Sequence, residues 1–107
     1  MQHARVAVYQ VKSGGAPEAF HRAERDLLPI FEAQPGFVSY SVVVTSDTEL
    51  ISISAWESKE AAEAAVSSAA HWVRDNIAEL IESVDNRVGE IAFSNRLKAP
   101  AGGITRG

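Results

Sequence analysis

The residues best equipped for chemistry sit close together in one stretch, His71-Trp72-Val73-Arg74-Asp75-Asn76. His71 could accept a proton from a phenol or quinol, because an imidazole titrates near neutrality. Helical spacing, however, groups it with Ser67, Ala64 and Glu60, which is the make-up of a solvated face. Arg74 and Asn76 could donate hydrogen bonds to a developing oxyanion, although an arginine on such a helix is usually exposed. Trp72, and Trp56 earlier in the chain, could stack on a flat aromatic ligand; in a domain this small each can equally be core. Tyr9 and Tyr40 fall in strand-like segments, and their hydroxyls are expected at a subunit interface rather than in a cavity.

Other chemistries are excluded. There are no cysteines, so disulfides, thiol nucleophiles and thiolate metal sites are ruled out. His3, His21 and His71 are far apart and lack metal-ligand spacing. Ser13-Gly14-Gly15 lacks the further glycines and the lysine of a phosphate loop. No Gly-x-Ser-x-Gly elbow occurs, and flavin and nicotinamide motifs are missing. No cofactor and no metal are therefore expected. The formal net charge is −4 and the ten basic residues are scattered, which disfavours nucleic acid and anionic membrane surfaces. Met1 to Val11 lacks a signal-peptide pattern and no run is long enough to span a bilayer, so the expected location is the cytoplasm.

The elements that must position these residues follow from periodicity. The chain has 107 residues, 46% of them hydrophobic, which suits a single domain. Arg5 to Val11 reads as a strand ending at Ser13-Gly14-Gly15. Pro17-Glu18 opens a helix to about Ala33, with Phe20, Ala23, Leu27, Ile30 and Phe31 as its buried stripe. Pro29 inside it predicts a kink or tightened turn, and Gln34-Pro35-Gly36 ends it. Phe37 to Thr45 and Glu49 to Trp56 form an antiparallel hairpin. Ser58 caps an alanine-rich second helix to about Glu82, with Val66, Ala69, Val73, Ile77 and Leu80 as its stripe. Asp85-Asn86 reads as a turn before a last strand, Val88 to Ser94. The order β-α-β-β-α-β predicts an α+β, ferredoxin-like domain over 1–94 with a four-stranded antiparallel sheet. Residues 95–107 are expected to be a mobile tail.

Strand residues alternate between the two faces of a sheet. Phe37, Ser39, Ser41 and Val43 oppose Val38, Tyr40, Val42 and Val44; Leu50, Ser52, Ser54 and Trp56 oppose Ile51, Ile53 and Ala55. Both faces carry large apolar groups, yet two helices cover only one. A two-fold partner covering the other face is expected, making the protein a homodimer through one sheet face.

Gln34-Pro35-Gly36-Phe37, and Trp56-Glu57-Ser58 followed by a helix, resemble the antibiotic biosynthesis monooxygenase (ABM) domain family over roughly residues 4 to 94. The resemblance implies a dimeric α/β barrel with one cavity per subunit, between helices and sheet. It also implies activities that include cofactor-free oxygenation of aromatic polyketides, haem degradation and chemistry on quinols. In polyketide-type members the motif tryptophan, here Trp56, lines the cavity. An asparagine four positions earlier corresponds to Ser52, a tyrosine six positions later falls at Ala62, and a late helical arginine has an approximate counterpart in Arg74. For haem degradation the asparagine position falls near Ala7 and the tryptophan near Ala65, while His71 comes a turn too early. The function the resemblance implies is a cofactor-independent monooxygenase of an aromatic or quinol-like small molecule. His71, Arg74 and Ser52 are then candidates for catalysis, with Trp56, Trp72 and Asn76 against the substrate. A non-catalytic dimeric binding or assembly domain is the rival, with haem binding third.

Overall fold

The computed structural model describes residues 1–95. Four strands, β1 (His3–Val11), β2 (Phe37–Ser46), β3 (Glu49–Trp56) and β4 (Ile81–Glu90), form one antiparallel sheet in the order β2-β3-β1-β4. With the helices this is the β-α-β-β-α-β ferredoxin-like arrangement. The predicted tail, apart from Asn95, lies outside the described residues.

The first helical segment has three parts. α1 (Ala16–Arg22) runs through a π-helical turn, Ala23–Leu27, into α2 (Leu28–Glu32). The wide turn stands just before Pro29, and Leu28 N–H donates to the Ala23 carbonyl. Proline has no N–H to give and its ring crowds the carbonyl four residues back, so a widened turn relieves the fault without a break. Ala16, Ala19, Ala23, Leu27 and Phe31 face the core, whereas Ile30 is exposed.

α3 (Lys59–Asn76) starts at Ser58, whose Oγ accepts from Ala61 N–H at 3.1 Å. Its buried stripe is Ala62, Ala65, Ala69 and Trp72; small side chains let the helix lie close against the sheet, while Val66 and Val73 are only half-buried. The helix ends at Asn76, earlier than expected, and a 3-10 turn, Ala78–Leu80, leads into β4. The last strand is therefore Ile81–Glu90 rather than Val88 to Ser94, and Asp85 and Asn86 sit within it, opposite Val8 and Ala7. Their local turn preference yields to a ladder along the whole of β1.

The helix-facing side of the sheet carries Arg5, Ala7, Tyr9 and Val11 from β1 and Leu50, Ser52, Ser54 and Trp56 from β3, all buried. The register shifts between Phe37 and Ser39. This bulge puts Phe37, Tyr40 and Val42 against the same core, where strict alternation had separated Phe37 from the other two. Tyr9 and Tyr40 thus belong to the helix side, not to the outer face. The outer face presents Val6, Val8, Ile51 and Ile53, with Val6 opposite Ile53 and Val8 opposite Ile51.

One end of the core is fastened by the two short motifs. Phe37 pairs with Trp56 in register, and Glu57 N–H donates to the Gly36 carbonyl at 2.8 Å. Gly36 has φ +84°, and a Cβ there would stand 2.9 Å from the Ala61 Cβ. Glycine is required twice over, for its backbone angle and for the approach of α3. Trp56 is fully buried, with its ring at T-shaped angles to Phe31 and Phe37 and its indole N–H on Ser54 Oγ at 2.9 Å.

Candidate active site

At the other end of the sheet, β1, β4 and the C-terminal half of α3 enclose a partly open cleft of about 400 Å³. That volume falls within the ~300–1,000 Å³ typical of small-molecule sites. Ala70, Val73, Ile81 and Val84 form apolar walls, and Arg5, Tyr9, Arg74, Glu82, Ser83 and Asn86 supply the polar groups. The outer end of α3 is tied to α1 by Arg22, which donates to the Asn76 carbonyl at 2.7 Å while paired with Glu18 and Glu79.

Arg5 dominates the floor of this cleft. It is 1% exposed. Its Nε–H donates to Asn86 Oδ1 at 3.1 Å, Nη1 to Ser52 Oγ at 3.2 Å and Nη2 to Tyr9 Oη at 2.8 Å. Its Cζ lies 5.9 Å from the centre of the Phe31 ring. All three acceptors are neutral. Among the described residues the ion pairs involve other cations, and none reaches Arg5. A buried guanidinium keeps its charge, and burial without a counter-ion is expensive.

Tyr40 adjoins this group, close enough for Ser52 and the Arg5 charge to act on its phenol. Burial, and then its neighbour Tyr9, push the Tyr40 phenol up to about 12, against the opposing pull of Ser52 and of the Arg5 charge. At neutral pH it is therefore a neutral hydrogen-bonding group and not a base.

The six residues singled out in the sequence are dispersed. Ser52 is buried beneath the cleft as a partner of Arg5. Arg74 lines the cleft with its Nε–H on Asp75 at 3.1 Å. His71 and Asn76 are exposed on α3 and do not line the cleft; Asn76 Nδ2 donates to the Trp72 carbonyl at 2.9 Å. Trp56 and Trp72 are core residues, and the Trp72 indole N–H is buried without a partner. Sequence reasoning missed Arg5 and Asn86. The signal for Arg5 was present: it is in phase with Ala7, Tyr9 and Val11, so its strand places it inward.

A second cavity of about 250 Å³ lies between α1 and β2, lined by Phe20, Glu24 and Tyr40 among others. It is smaller and does not reach the buried guanidinium. Among the described residues no group of three or more His, Asp or Glu could hold a metal ion. No described helix is long and apolar enough to cross a membrane.

The family model for antibiotic biosynthesis monooxygenases matches residues 3–72. Solved structures share the fold. SnoaB, a cofactor-independent oxygenase from Streptomyces nogalater, aligns with a TM-score of 0.67 at 17% identity, over 87% of this chain and 95% of its own. A Nitrosomonas europaea protein of unknown function aligns with a TM-score of 0.70 at 20% identity, over 94% and 96%. A Bacillus cereus protein described as a candidate antibiotic biosynthesis monooxygenase aligns with a TM-score of 0.66 at 25% identity, over 96% and 100%. No curated protein matches the sequence.

Proposed function

Because the chain belongs to the antibiotic biosynthesis monooxygenase family, we propose that it is a cofactor-independent monooxygenase acting on an aromatic or quinol-like small molecule in the cleft between α3, β1 and β4. The observation that carries this reading is the cleft itself, with apolar walls for a ring system above a polar floor. In such chemistry the substrate does the reducing. A ring methylene flanked by aromatic rings loses a proton, and the carbanion passes an electron to dioxygen. Recombination forms a C–O bond, and the peroxide then loses water to leave a ketone. One oxygen atom enters the product and the other leaves as water, so the substrate supplies all the electrons. The protein's part is to exclude water and to stabilise the developing oxyanion.

The test is oxygen consumption by purified protein with a panel of anthrones and quinols, using isotopically labelled dioxygen. The expected result is one labelled atom in the product. No protein-dependent uptake with any member of the panel would overturn the reading. The rival, a non-catalytic binding domain, draws support from the absence of any histidine among the described residues of the cleft lining and from the packing of both tryptophans into the core.

The proposal includes a homodimer. Val6, Val8, Ile51 and Ile53 make an apolar surface on the face away from the helices, and such a surface suits self-association.

A further inference from the structure

The geometry at Arg5 points to an anionic ligand: we propose that the cleft binds small aromatic molecules in their anionic form, as carboxylate, enolate or phenolate, with the negative oxygen on the Arg5 guanidinium. The inference rests on the same cleft as the oxygenase reading and narrows its substrate class.

Arg5 is a buried cation whose three hydrogen-bond partners, Asn86, Ser52 and Tyr9, are all neutral. A fold that needed only structural hydrogen bonds there could use a neutral amide at far lower desolvation cost. The three acceptors come from three strands, Asn86 from β4, Ser52 from β3 and Tyr9 from β1. Each terminal nitrogen has two N–H groups and, among the described residues, uses one, so one on Nη1 and one on Nη2 have no partner there. Two such N–H groups suit the oxygens of a carboxylate or of a hydroxyquinone anion. The low-dielectric surroundings strengthen the attraction. Perturbing charges of this kind, set in a cleft, mark functional sites. The apolar walls, Ala70, Val73, Ile81 and Val84, suit the ring body of the ligand.

Arg5 also changes what the chemistry requires. A cation beside an enol or phenol favours its ionised form. A substrate already ionised on binding needs no strong protein base, and the single carboxylate among the described residues of the cleft lining, Glu82, is exposed.

The test compares naphthoate with the naphthamide of the same ring position, a pair alike in shape and different in charge, by calorimetry under nitrogen. Wild-type protein is expected to bind naphthoate at least ten-fold more tightly, and Arg5→Met is expected to lose that preference. Equal binding of the two probes, or binding of neither, overturns the proposal, as does a preference that survives in Arg5→Met. A second readout needs no variant of uncertain folding: the Arg5 Nε–H resonance in wild-type protein should shift with naphthoate and not with naphthamide, and an unmoved resonance overturns the proposal. Binding is scored without oxygen. A protein that prefers naphthoate but consumes no oxygen with anthrones keeps this inference and loses the oxygenase reading, and the converse pattern does the reverse.

Discussion

Tyr40 offers a test of the buried polar group that needs no ligand. Its phenol is pushed from an ordinary value of 10.0 up to about 12, chiefly by burial. The folded state therefore holds the Tyr40 proton more tightly than the unfolded chain does. The resulting stability is fully present below about pH 10 and is lost as pH rises toward 12, because the unfolded chain releases the proton first. Two pKa units at about 1.4 kcal/mol each put the whole effect at about 2–3 kcal/mol, of which about 1.4 kcal/mol is gone by about pH 11. Tyr40→Phe lacks the titrating group. Urea unfolding of both proteins at about pH 8, 10 and 11 should show wild type losing stability relative to the variant, by a margin that is small at the middle pH and clear at the highest. All other ionisable side chains are common to the two proteins. A constant difference across the series would refute the reasoning. A difference that moved the other way would mean that Arg5 outweighs burial and draws Tyr40 toward its phenolate, giving the guanidinium an internal counter-ion.

The two remaining predictions concern the clamp and the outer face. Gly36→Ala places a Cβ 2.9 Å from Ala61 at φ +84° and should cost about 2–4 kcal/mol; Gly14→Ala, at φ +78° with open space around it, should cost about 1–2 kcal/mol. Thermal melts compare the two, and equal losses would remove the packing role assigned to Gly36. Ile53, 40% exposed on the outer face, is the centre of the proposed dimer surface. Sedimentation should find wild type dimeric and Ile53→Asp monomeric with unchanged far-ultraviolet circular dichroism; a dimer that survives this charge would place the contact elsewhere.

Three of the four strands and both helical regions were legible because their apolar residues recur with clear periods. β4 was not. Its centre, Asp85-Asn86, has strong turn preference, and only pairing with β1 holds it extended. The bulge in β2 was also hidden, since a single extra residue reverses the faces without altering composition. The candidate site was the harder reading. His71, Trp72, Arg74 and Asn76 are neighbours in sequence, but a helix turns about 100° per residue, so they split between two sides of α3, His71 with Arg74 and Trp72 with Asn76. Arg5 and Asn86 are 81 positions apart and meet only because β1 and β4 are adjacent. Ser52 was reached through the family motif, but its observed role is to support Arg5.

The fastening at Gly36 and Trp56 bears on how this scaffold can diversify. The clamp, with its glycine turn and buried tryptophan, lies wholly inside the stretch that matches the family, residues 3–72. Most of the cleft wall, from Val73 through Arg74 and Ile81 to Asn86, comes after it. The cleft floor, Arg5 with Tyr9 and Ser52, falls inside the family-matched stretch, whereas most of the wall is written after it. Mutations can remodel the pocket at the end of α3 and along β4, an edge strand, while the clamp keeps the fold closed at the opposite end. Two relatives with the same signature can thus share the floor of the cleft and differ in its walls, and comparing them from about residue 73 onward would be the economical way to sort them by the ring systems they accept.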